Sequence, residues 1–395
     1  MCAKLKWLPI FIVIAFVYSG FLKWLPLPID PTIILGSVFA LLLLRNVLFK
    51  KKHIYSFNVY CLTLILTTFI VYYISTAFYT PSENFWKEKI AHLVIALFVF
   101  FYCIISFTDP NQFKMIRNVM IGLCVVEIIA LGYLESTGLL ELYTQYATPE
   151  FKAENKIPDY LALSSILSIG FILVLPFNHL LSWLFRVAII YLMIRLSARG
   201  PIIFLLGCSL LYIVRNKKLR IINFKYLIIA ICSISILSII LVNWEGADIL
   251  LSRFSGLQRN QVDNSVLERL DFIDKSLKII KEKPFTGIGI GAFGFVYEKV
   301  DSKLYPHNYF LEAFVETGLL GGAAFLAFWI IFFTAIKIDY KDPIYSTLFL
   351  VTLFLFLNDQ KSGGFIESRI SFLWAGIVLS YVNLQKSLIK NELYK

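Results

Sequence analysis

The side chains best suited to chemistry lie between Arg195 and Gly322. Arg195 and Arg199 stand four residues apart in RLSARG. Paired guanidinium groups match the oxygens of a phosphate, so this segment is a candidate site for a phosphorylated substrate; the alternative is contact with lipid phosphates. Arg269 lies near the start of an amphipathic helix, where the helix dipole favours an anion; the alternative is an ordinary arginine on a solvated loop helix. His307 follows Pro306 and precedes Asn308 at the mouth of a long apolar run. A neutral imidazole there can accept a proton near neutral pH, although a lone interfacial histidine can also be structural. Asn308, Glu312 and Glu316 recur at i, i+4 and i+8 and form one polar strip. Carboxylates at that depth are expensive in lipid, so the strip should face the protein interior or a wet cavity. Glu127 is a further acid inside an apolar run, with no assigned partner.

Other patterns carry less. Gly289, Gly291 and Gly294 form a G-x-G-x-x-G, but no alternating strands and helices surround them. A dinucleotide site is therefore rejected, and the glycines are expected to let the backbone turn tightly between a loop helix and the helix that follows. The six cysteines are scattered without metal or redox spacing, and no His or carboxylate pair has ligand spacing. No metal and no cofactor are expected.

The elements that position these residues are membrane helices. The chain has 395 residues, 58% of them hydrophobic and 16% aromatic, with a mean hydropathy of +0.75, a composition foreign to soluble domains of this size. The expected fold is all-α, a single polytopic membrane domain over 1–395 with about twelve spans. These are placed at 7–25, 31–49, 54–78, 90–107, 116–134, 161–175, 179–194, 201–214, 226–242, 307–336, 344–357 and 365–384. The first run is read as a helix rather than a signal peptide, because Lys23, Trp24 and Pro26 follow it instead of a small-residue cleavage site. The net charge of +11 is assigned to loops on the cytoplasmic side rather than to nucleic acid. That orientation leaves fewer basic residues outside, Lys87, Lys89, Arg195 and Arg199 among them, and puts the long loop 243–306 on the outer face.

Within this loop Ser265 and Glu268 fit a capping box, and Val266, Leu270, Ile273, Leu277 and Ile280 recur at helical spacing as the stripe expected to be buried. Arg269 falls about 60° from the centre of that stripe and should border the buried face. Gly318 and Gly322 read as a small-residue packing site on the helix beyond. A transporter built from two six-helix halves is the competing architecture, but no repeat relates the halves and the long connection is not central.

RLSARGPIIF, then NSVLERLDFIDKSLKIIKEKPFTGIGIGAFG, then LYPHNYFLEAFVETGLLGG, in this order and spacing, resemble the O-antigen ligase and O-antigen polymerase superfamily of bacterial membrane glycosyltransferases. The resemblance covers about Arg195 to Gly322. It implies a GT-C-like inverting glycosyltransferase of the inner membrane, with its active site facing the periplasm. Its donor would be an undecaprenyl-pyrophosphate-linked oligosaccharide, and no nucleotide sugar is needed. By position, Arg199 and Arg269 match the family's pyrophosphate-binding arginines and His307 its base, with Arg195, Asn308 and Glu312 as further substrate contacts. The reading favoured is a polymerase joining lipid-linked repeats; the alternatives are a ligase that transfers the glycan to the lipid A core and a flippase of lipid-linked glycans. A chain-length regulator is left open as a partner beside the membrane lipid.

Overall fold

The computed structural model describes residues 7–19, 30–49, 56–140, 160–215, 264–336 and 342–393, and every regular element among them is helical. In chain order these are α1 (Leu8–Val17), α2 (Pro31–Phe49), α3 (Phe57–Ser75, continued by a 3-10 turn, Thr76–Phe78), α4 (Phe85–Ser106), α5 (Pro110–Ser136), α6 (Tyr160–Leu173), α7 (Leu180–Arg195), α8 (Arg199–Arg215), α9 (Asn264–Glu282), α10 (Phe293–Glu298), α11 (Tyr309–Ala335), α12 (Pro343–Ser362) and α13 (Ser368–Leu393). Each expected apolar segment overlaps one of these helices, the first of them only over Leu8–Val17, except 226–242, which lies outside the described residues together with 243–263 of the long loop. Among the described residues, six helical segments are long and apolar enough to cross a membrane: Pro31–Phe49, Phe57–Phe78, Phe85–Ser106, Pro110–Ser136, Tyr309–Ala335 and Phe365–Leu388. The chain is therefore an all-α membrane protein.

The helices form two compact units, one of Met1–Met120 with Phe272–Lys395 and one of Ile121–Asp271. In the first unit α4 is the central helix. Leu93, Ala96, Val99, Phe100 and Cys103 on it are buried, and α13 packs along it. Gly376 makes that approach possible, since a Cβ there would sit 2.9 Å from the Phe100 carbonyl oxygen. Across the same unit α3 meets α11 through aromatic rings, Phe69 stacking on Phe325 with centroids 4.9 Å apart. In the second unit α6 packs on α7 and α8, and Gly170 of α6 faces Cys124 of α5 too closely for any side chain.

The glycine-rich segment does what the sequence suggests, by a more specific route. Gly318 interrupts α11 with φ 67°, so the two flanking stretches are separate helices in register across a break. The break turns backbone groups outward, and the loop after α9 takes them. Ile288 and Gly289 N–H donate to the carbonyls of Val315 and Glu316 at 2.9 and 3.0 Å, and Leu319 N–H donates to Pro284 at 2.7 Å. Backbone this close leaves no room for a Cβ: one at Gly287 would lie 2.6 Å from the Glu316 carbonyl carbon, and one at Gly318 would lie 2.3 Å from the Phe285 carbonyl oxygen. Gly318, expected as a helix-packing residue, is thus a helix breaker.

The loop beyond α10 is anchored separately. Asp301 accepts from the Ser82 hydroxyl at 2.7 Å and from the Asn84 and Glu83 N–H groups at 2.7 and 3.0 Å, ahead of the first turn of α4. Partial desolvation pushes its carboxyl up, but these hydrogen bonds outweigh it and hold the group below its ordinary value.

Gly318→Ala is expected to lower the melting temperature in detergent clearly, because φ and space both oppose it. Gly132→Ala, where a Cβ meets nothing within 4 Å, serves as the reference and should change little. Equal melting temperatures for the two variants would contradict the backbone clamp.

Candidate functional site

His307 sits at the entrance to α11, but not as its first turn. Pro306 and His307 were expected to open the helix; instead the helix begins at Tyr309 and Asn308 is its N-cap. The Asn308 side-chain oxygen accepts from Leu311 N–H at 3.0 Å, and its amide donates to the Gln360 carbonyl at 2.7 Å. Asparagine outcompetes proline and histidine as a cap because its side chain satisfies an orphan N–H of the first turn. His307 is left one residue outside the helix with φ 53°, in the left-handed region, which histidine enters more readily than most side chains. Its ring is held between Tyr305, 4.4 Å away between centroids, and Phe272, stacked at 5.7 Å and 21°. Phe272 belongs to the buried cluster of Ile279, Ile288, Ala292, Phe293 and Val315, so the imidazole leans on the core of the loop region.

That contact reverses an expectation about α9. The stripe through Leu270, Ile273 and Leu277 is exposed, and the buried face is Phe272, Ser276 and Ile279. The larger aromatic side chain directs the burial, since Phe272 finds Phe293 and Tyr297 edge-on at 5.6 and 5.0 Å. Arg269 still borders the buried face, about 60° from it by helical geometry, and is half-buried.

One turn into α11 the polar strip meets a cation that the loop assignment had placed outside. Lys89 is fully buried in the second turn of α4, whose start lies at Phe85 rather than at residue 90. Its ammonium lies 2.5 Å from Glu312 and 2.7 Å from Glu316. Tyr73 hydroxyl and Gly291 N–H both donate to Glu316 Oε2, at 2.5 and 2.9 Å. Phe365 N–H donates to Glu312 Oε2 at 3.0 Å. The carboxylates therefore do face the interior, and Asn308 and Glu312, expected as substrate contacts, have their polar atoms engaged within the protein. Lys89 and Tyr73 escaped sequence reasoning. The only signal for Lys89 was a lysine standing immediately before the apolar run that begins at Ile90.

Arg195, Arg199 and Arg269 belong to the second unit. Arg195 closes α7 and pairs with Glu135 at 2.7 Å, and Tyr191 hydroxyl donates to the same carboxylate at 3.0 Å. Ser197, with φ 59°, then turns the chain in a left-handed step, and Arg199 starts α8 half-buried, at a helix N-terminus that favours anions.

Residues 183–326 match the family model described as O-Antigen ligase, a segment that takes in every one of these candidate residues except Lys89 and Tyr73. The match supports assignment to the O-antigen ligase and polymerase superfamily. No curated protein matches the chain.

Replacing Lys89 with Met should strand two buried acids and cost about 3–5 kcal/mol of stability, read as thermal unfolding in detergent. Adding Glu312→Gln and Glu316→Gln should recover part of the loss. A Lys89→Met protein that unfolds with the wild type would contradict the ion cluster.

Proposed function

With that superfamily assignment as the premise, we propose that the chain is a surface-polysaccharide polymerase. It transfers an undecaprenyl-pyrophosphate-linked glycan onto another lipid-linked repeat at the periplasmic face of a bacterial inner membrane. The observation that carries the reading is the family match over 183–326, the segment holding all three candidate arginines and the histidine. The multi-pass helical architecture suits a lipid-linked donor.

The reaction inverts at the anomeric carbon. His307 accepts the proton of the acceptor hydroxyl, whose oxygen attacks that carbon as the bond to pyrophosphate breaks and the electron pair leaves on the pyrophosphate oxygen. Negative charge grows on the leaving group, and Arg199 and Arg269 stabilise it; Arg195 adds a phosphate contact. These roles follow the resemblance residue by residue. The geometry adds that the His307 ring is fixed by Tyr305 and Phe272 before substrate arrives, so little ordering remains to be done at the base. Asn308 and Glu312 act in this reading by fixing the helix entrance on which His307 stands.

Transfer to lipid A core is the second reading and uses the same donor chemistry. A size-resolved glycan profile of cells lacking the protein separates them. Loss of long chains with single repeats still on the core is expected for the polymerase. Loss of every attached repeat, with long polymer left on the carrier, marks the ligase. Complementation with Arg199→Ala or Arg269→Ala should reproduce the deletion profile, and Arg269→Lys should restore it only in part, since an ammonium lacks the bidentate fork. A normal profile from either alanine variant at equal protein level removes that arginine from the reaction.

A further inference from the structure

α9 buries one apolar face and leaves a second uncovered. The exposed stripe of Ile273 and Leu277, 39% and 47% exposed, lies about 120° around the helix from the buried Phe272, Ser276 and Ile279. Beyond the end of the helix, past Pro284, Phe285 is 68% exposed. Two backbone contacts fix the level of that phenylalanine. Leu319 N–H donates to Pro284, and Tyr79 hydroxyl donates to the Thr286 carbonyl at 2.5 Å. Phe285 therefore stands beside the break in α11 and the end of the Phe57–Phe78 span. Phe78 at that span's end is 94% exposed and Leu320 of α11 is 66% exposed.

Apolar side chains exposed on spanning helices face lipid. Phe285 thus places the exit of α9 beside that lipid-facing surface. The second half of the helix and its exit carry Lys275, Lys278, Lys281 and Lys283 against Asp274 and Glu282; Lys278 pairs with Asp274 at 2.9 Å, while Lys281, about 60° around the helix from the stripe, and Lys283 at the exit flank the apolar face. An apolar face rimmed by lysines is the pattern of a helix lying in the headgroup region, with methylene stems in the apolar boundary and ammonium groups on phosphates.

We propose that the outer face of α9, formed by Ile273, Leu277 and the following Phe285, rests in the bilayer interface and that its lysine rim contacts anionic lipid headgroups. The inference stands on exposure and position and does not depend on the transfer reaction. It gives α9 two duties. One face holds the His307 ring through Phe272, and the other is anchored in the surface from which a lipid-linked substrate would approach.

Spin labels at Leu277→Cys, Phe285→Cys and Glu282→Cys, each in a chain with its native cysteines replaced, test this in phosphatidylcholine vesicles with and without phosphatidylglycerol. Relaxation of the Leu277 and Phe285 labels should be several-fold more sensitive to oxygen than to a water-soluble nickel chelate, with the reverse at Glu282. Nickel-dominated relaxation at Leu277 and Phe285 would overturn the proposal. So would protection from both reagents, which would mean that a second copy or a protein partner covers the face. Lys281→Glu with Lys283→Glu should weaken the oxygen preference in the anionic vesicles alone; an equal effect in both compositions would remove the headgroup contact.

Discussion

A single ammonium group buried among two carboxylates constrains the arrangement of the first unit. Lys89, Glu312 and Glu316 are almost completely withdrawn from solvent, and desolvating three charges is repaid only where geometry is close and the remaining oxygens are occupied. Here they are. Tyr73 of α3, Gly291 of the glycine loop and the Phe365 backbone between α12 and α13 each donate to one of the acids. The cluster thereby ties α3, α4, α11, the glycine loop and the α12–α13 connection to one point. No member can shift without exposing a charge to an apolar surrounding.

The catalytic reading inherits its rigidity from this point. Glu312 stands one turn beyond the Asn308 cap, and His307 is the residue before that cap. The left-handed backbone of His307 is held from both sides, by the cap anchored to Gln360 and by the ring contacts with Tyr305 and Phe272. The glycine loop contributes from above the break in α11. Its spacing imitates a nucleotide-binding turn, yet the missing side chains admit other backbone rather than phosphate.

The apolar segments were legible in the sequence because hydropathy over a span is a sum of many residues, and single errors do not matter. The polar strip on α11 was legible for a related reason: acids in an apolar run must turn inward. Details set by competition between neighbours were not. The stripe expected to be buried on α9 lost to Phe272, whose preference depends on the rings of Phe293 and Tyr297, more than twenty residues away in sequence. Lys89 was assigned to a loop because its neutralising partners lie more than two hundred residues further on, and no local pattern announces them. His307 was given to a helix because proline favours a first turn, whereas the cap was decided by Asn308. The candidate arginines rest on motif and family match, with the local shape of RLSARG explained by the left-handed Ser197.

The most direct measurement is release of undecaprenyl pyrophosphate by the purified wild-type chain in proteoliposomes supplied with an undecaprenyl-pyrophosphate-linked oligosaccharide, beside His307→Ala at equal protein. The expected result is carrier release coupled to a new glycosidic bond in the wild type, and release slower by about 100-fold or more in His307→Ala with donor binding retained. Undiminished release from His307→Ala would contradict the base role. Movement of the donor between leaflets by the wild type, with no release at all, would contradict the transferase itself.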